Sequence, residues 1–159
     1  MPTYTVNGLD SNMVRGLIAE LKKERTGIKR KTNTVCERLA TMAAVRASLE
    51  FARSPYNGTN DVRVMVSPIK GGWRVRASGN AVLFIEYGAG ARYGYGHPEP
   101  LDYGPGTYPS TTGNWDNPKG WWYAHGKHTY GNPPAAAMYH AEQDIKREIR
   151  NVANEVFNE

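Results

Sequence analysis

Residues 83–98 read LFIEYGAGARYGYGHP, an apolar run that enters Glu86 and Tyr87 and then meets Gly88, Gly90, Gly94 and Gly96. A strand running into Gly-x-Gly is how many phosphate-binding loops begin, so this stretch is the first candidate for chemistry. A dinucleotide fingerprint needs G-x-G-x-x-G, and its glycines must lead straight into a helix whose N-terminus holds the pyrophosphate. Here the spacing is G-x-G-x-x-x-G-x-G, and Pro98, Pro100 and Pro105 follow where the helix would have to start. There is no Gly-Lys-Ser/Thr either, and a nucleotide site is rejected.

Metal chemistry is the second candidate. The histidines are His97, His125, His128 and His140; His125 and His128 are spaced H-x-x-H, with Asp102 and Asp116 in the same segment. No Cys pair, H-E-x-x-H or D-x-D accompanies them, so hydrogen bonding to loop backbone or packing on aromatic rings is the expected role, with no metal and no cofactor. Nucleophilic catalysis lacks a G-x-S-x-G elbow, and Cys36 falls inside a helical pattern, where a small buried hydrophobe is the usual role. Glu86 beside Tyr87 has the chemistry of a general base. A carboxylate at such a position more often pairs with a basic group or caps a loop amide. No enzyme is expected.

These residues must be positioned by the elements around them. LDSNMVRGLIAELKKE reads as a first helix, with Asp10 or Ser11 as cap and Met13, Leu17, Ile18 and Leu21 as its apolar stripe. Gly27 is expected to break it before a second helix, on which Val35, Leu39, Met42, Val45 and Leu49 share one face and alanines line much of the rest. The helical part spans 10–54. The period then changes to two: Val62, Val64 and Val66 alternate with Arg63, Met65 and Ser67, and Trp73, Val75 and Ala77 with Arg74 and Arg76. AVLFIEY is expected as a third strand after a tight turn at 78–80, so that strands occupy 61–87 and Glu86 and Tyr87 hold the last rung of the sheet.

Residues 88–134 hold ten of the 17 glycines and seven of the ten prolines, with six tyrosines and three tryptophans but one large aliphatic side chain, Leu101. Such a loop has no aliphatic core of its own, and its aromatics need a surface to lie on. A C-terminal helix over 135–157 carries Met138, Ala141, Ile145, Ile149, Val152 and Val156 in one stripe. The expected architecture is a single α+β domain over 1–159: a small antiparallel sheet of three or four strands, two N-terminal helices, a long C-terminal helix and a long Gly/Pro/aromatic loop.

Between residues 22 and 31 six basic residues and one acid carry the whole net charge of +5. Lys22, Lys23, Arg25, Lys29, Arg30 and Lys31 therefore form one basic knot rather than a basic face. A solvated helix junction, DNA, or an acidic protein partner each fits it. The lone cysteine excludes an intrachain disulfide, the longest apolar run is five residues, and MPTYTVNGLD has no leader-like region, so neither export nor a membrane is expected.

The order of FIEYGAG, HP, GWWY, HTYGNPPAAAMYHA and a last helix ending ANEVF resembles the neck, or head–tail joining, proteins of long-tailed bacteriophages, also called minor tail components or tail-completion proteins. The family's aromatic–Glu–Phe/Tyr–Gly–Thr/Ala–Gly turn is carried by Phe84, Glu86, Tyr87, Gly88 and Gly90, with Ala89 where threonine is usual. Its His-Thr-x-Gly-x-Pro-Ala turn is carried from His128 to Ala135, followed by Met138. The resemblance covers roughly residues 80–159. It implies a non-enzymatic α+β virion protein, assembled in the host cytoplasm into a homo-oligomeric ring, a hexamer being the favoured count. The implied neighbours are a head connector or stopper above and a tail terminator or tail tube protein below, with genomic DNA in the lumen. Subunit contacts are then expected from Glu86, Tyr87, Gly88, Gly90, Tyr95, His97, Trp121, Trp122, Tyr123 and His128. The rival reading is a nucleic-acid-binding protein led by residues 22–31.

Overall fold

The computed structural model describes residues 11–93, 96–99, 117–122 and 126–158. Its frame is two packed helices, with a short hairpin lying against the first. Helix α1 runs unbroken from Ser11 to Arg53, 43 residues, or about 65 Å of rise. The expected break at Gly27 does not occur. A helical glycine costs about 1 kcal/mol but removes no hydrogen bond, whereas a proline would, and α1 contains none. Lysine, arginine, glutamate, leucine and alanine around Gly27 outweigh it.

The buried face of α1 also differs from the one expected. Val35 and Leu39 are buried as read, but Ala40, Ala43, Ala47 and Phe51 complete the face, while Met42, Val45 and Leu49 are exposed. Small side chains decide this, because a partner helix approaches closely only along the alanine side.

That partner is α3, Ala137–Asn158, which runs antiparallel to α1. Ala43, Ala47 and Phe51 pack with Ala81, Ile85, Ala137 and Ala141 in one cluster, and Val35 and Leu39 meet Val152 and Val156 in a second. Ile145 joins both clusters, whereas Ile149, read as part of the stripe, is half exposed. At the rim Arg46 pairs with Glu50 at 3.0 Å and Asp144 at 3.4 Å. Lys31 donates to the Phe157 carbonyl at 3.2 Å, a cation on the last turn of α3.

Strands β1 (Arg63–Ile69) and β2 (Gly72–Ser78) form an antiparallel hairpin in which Met65 faces Arg76 and Val66 faces Val75. Val64, Val66, Val75 and Ala77 are the half-buried face, with Val64, Val75 and Ala77 packed on the core, and Arg63, Arg74 and Arg76 the wet one, as the alternation implies. The third strand is absent. Residues Val82–Glu86 are instead a short helix, α2, and a two-stranded ribbon of β3 (Trp121–Trp122) with β4 (His128–Thr129) lies apart from the hairpin. A short apolar run has no periodicity that separates strand from buried helix. Asp61 tips the choice: its carboxylate accepts from the Asn80 and Ala81 amides at 2.8 and 2.9 Å, satisfying donors at the start of α2.

Candidate functional site

The two motif segments that carry the family resemblance meet in space. Helix α2 is too short to satisfy its own last carbonyls, and residues 132–136 do so in its place. The Asn132 side-chain amide donates to the Phe84 carbonyl at 2.9 Å, the Ala135 amide to Ile85 at 2.8 Å, and the Ala136 amide to Glu86 at 3.0 Å. Ala89 and Asn132 exchange both backbone hydrogen bonds at 3.0 Å. The two segments of this clamp run so close that a side chain at Gly90 (φ 93°) would meet the Tyr130 carbonyl and one at Gly131 (φ 103°) the Ala89 carbonyl. A Cβ at either position would collide with backbone. The Gly-x-Gly signal therefore marks a close crossing of two chain segments, and the space a phosphate would need is filled by backbone.

Glu86 is the centre of the clamp. The residue is only 4 % exposed, and its carboxylate accepts from the Met138 amide at 3.0 and 3.1 Å and the Tyr139 amide at 3.2 Å. These are the second and third residues of α3, whose amides a neighbouring Ser, Thr, Asp or Asn normally satisfies. Alanine occupies the preceding position, Ala136, with φ 48°, and has no side-chain oxygen to offer. A carboxylate 52 residues upstream of Met138 takes that role, and its charge lies at the positive end of the helix dipole.

His97 seals the other side. Its Nε2 is 3.3 Å from Glu86 Oε1, and its Nδ1 lies 3.0 Å from the Glu99 amide and 2.7 Å from the Glu99 carbonyl. The ring is held between Tyr87 at 4.5 Å and Tyr139 at 5.8 Å between centroids. Partial burial raises the Tyr87 hydroxyl pKa, and the nearby Glu86 and Glu99 charges add to that. The Glu86 carboxylate is committed to two amides and an imidazole and closed to solvent. Its chemistry here is to cap a helix and couple it to α2 and to the His97 segment.

Among the other residues expected at a subunit surface, Gly88 and Gly90 are buried against 130–134, so their contacts, like those of Glu86 and His97, lie inside the chain. Trp122 is 69 % exposed and meets the His128 ring at 4.9 Å; His128 in turn meets Tyr130 at 4.9 Å. Trp121 and Tyr87 are half-buried. Tyr95 and Tyr123 lie outside the described residues, as do His125, Asp102 and Asp116 of the metal candidate; among the described residues no three potential ligands converge. Lys22, Lys23, Arg25, Lys29 and Arg30 stand on the exposed N-terminal part of α1, and Lys31, the next residue of α1, reaches the last turn of α3.

Sequence reasoning missed Asn132, Asp61 and Gly131. The sign of the first was an Asn between Gly131 and Pro133, a position where a side-chain amide does work that backbone cannot. Among the described residues no helix is long and apolar enough to cross a membrane. Comparison with models of protein families, with curated proteins and with solved structures gave no match.

Proposed function

We propose that this chain is a structural, non-enzymatic component of the neck of a long-tailed bacteriophage, forming a ring that joins or completes the tail beneath the head connector. The observation that carries the reading is the clamp. The two short motifs that resemble the neck family, one ending at Gly90 and the other starting at His128, are interlocked through Glu86, Asn132 and four backbone hydrogen bonds. Motifs that depend on one another physically are expected to recur together, in this order and with a variable loop between them.

Ring assembly draws on what the described surface leaves uncovered. Trp122 stands clear of the clamp on the β3–β4 ribbon, and Met42, Val45 and Leu49 form an exposed apolar row on α1. Head-to-tail rings need two such different patches, one fitting the other on the next subunit. Large rigid aromatics suit that use because they lose little side-chain entropy on docking. Replacing Trp122 by Ala, with Trp121→Ala as a second variant, is expected to shift the purified protein from oligomer toward monomer in size-exclusion light scattering. An unchanged oligomer, with the fold intact by circular dichroism, refutes the interface. Particles lacking the protein should accumulate as free tails and full heads in electron micrographs; overlong tails would assign it to termination of the tube instead.

A second reading, nucleic-acid binding, is favoured by Arg63, Arg74 and Arg76, which share the wet face of the hairpin, in addition to residues 22–31. It requires duplex binding by the isolated protein with a steep salt dependence, since each neutralised phosphate releases counterions.

A further inference from the structure

Helix α1 outruns its partner. Helix α3 ends at Asn158, beside Lys31, and residues 11–30 of α1 continue for about another 30 Å with nearly every side chain exposed. An isolated helix of that length is marginal in water. Its sequence is nevertheless patterned for a partner. Val14, Leu21, Ile28 and Val35 are spaced by seven, and Ile18 and Leu39 hold the second seam position, with Arg25 and Thr32 between them. Val35 and Leu39 are the pair that α3 covers with Val152 and Val156. The same seam thus runs on past the end of α3, where Val14, Ile18, Leu21 and Ile28 are 37, 45, 47 and 57 % exposed. Beside it runs a third row with the same spacing, Arg15, Lys22 and Lys29, all basic.

We propose that residues 11–30 of α1 are the docking surface for an acidic amphipathic helix of a partner protein, lying along the line that α3 leaves off. The partner presents aliphatic side chains to the seam and carboxylates to Arg15, Lys22 and Lys29, the arrangement by which flanking charges select partners in coiled coils. Charge speaks against the same segment of a second copy, which would set its own lysines and arginines against these. Duplex DNA would satisfy the basic row and leave the apolar seam in water. A membrane surface is disfavoured because the apolar face is narrow and residues 11–30 contain no aromatic side chain to anchor at the interface. The inference is independent of the neck reading.

The test titrates the full-length protein, by calorimetry, with a synthetic three-heptad helical peptide carrying leucine at its seam positions and glutamate at the flanking ones. A lysine-flanked version, a short DNA duplex and phosphatidylserine vesicles are run in parallel. The glutamate peptide is expected to bind at least about tenfold more tightly than the lysine peptide, with affinity falling as salt rises. Leu21→Gln with Ile28→Gln, both at exposed positions and compatible with helix, is expected to weaken that binding about tenfold. Lys22→Glu with Lys29→Glu is expected to reverse the preference toward the lysine peptide. Equal affinity for the two peptides, binding of neither, or tighter binding to duplex or vesicles that survives Leu21→Gln with Ile28→Gln would overturn the proposal.

Discussion

At the scale of single residues, Glu86 does the most. It is a buried carboxylate that accepts from the Met138 and Tyr139 amides and meets the His97 ring, and removing it takes that acceptor from two helix amides and an imidazole. Hydrogen bonds to a charged group contribute about 1.5–3 kcal/mol each, and orphaned buried donors add their desolvation. Glu86→Ala is therefore expected to lower the unfolding free energy by about 3–5 kcal/mol in urea denaturation. Glu86→Gln, which keeps one acceptor oxygen, is expected to lose about half as much; a loss below about 1 kcal/mol for the alanine variant would mean that the cap is dispensable. Asp61 works on the same logic at the surface. Bonds from the Asn80 and Ala81 amides hold its pKa below the ordinary carboxylate value. A depressed folded pKa contributes stability that is present above the unfolded pKa, about 3.9, and is lost as pH falls through the lower folded value. Stability measured below about pH 4 should therefore fall less steeply in Asp61→Asn than in the parent chain; parallel acid limbs would sink this account.

At the scale of elements, legibility followed periodicity. The antiparallel hairpin was readable because two alternating strands leave one wet and one apolar face, and α3 because its stripe persists over five turns. Helix α1 was readable as helix but not as one helix, since Gly27 looks like punctuation on paper and costs only a fraction of what 42 neighbouring helical positions supply. Nothing lies within 4 Å of a Cβ built at Gly27, so Gly27→Ala meets no steric obstacle. It is expected to stabilise the local helix by about 0.5–1 kcal/mol, read as about two- to fivefold slower amide exchange over residues 20–30. No slowing there would mean that the segment is already held by something other than its own helix propensity. Helix α2 was not legible at all. Its five residues are hydrophobic enough for a strand, and what makes them helical is supplied from outside, by Asp61 ahead of it and by residues 132–136 behind. The clamp was half legible: both of its motifs stood out, but that they face each other, and that Glu86 serves α3 rather than a sheet rung, rests on contacts more than 40 residues apart.

At the scale of the whole molecule, the division of labour is between a packed body and what leaves it. The body is the alanine-lined crossing of α1 and α3 with the hairpin against it, tied by the clamp. From it emerge the far end of α1, the exposed Trp122 on its ribbon and the apolar row of Met42, Val45 and Leu49. These are the surfaces that the proposed ring contacts and the proposed helix docking would use.

The cap that Glu86 lends to α3 also bears on how the chain acquires its structure. Helix α3 begins at Ala137, a few residues after Pro133 and Pro134, and the residue before it, Ala136, has no side chain that could cap it. The cap is carried by a residue some 50 positions earlier in the chain, on α2, whose first amides Asp61 holds. The first turn of α3 is thereby coupled to the N-terminal half of the chain. A peptide of α3 alone should fray over its first turn.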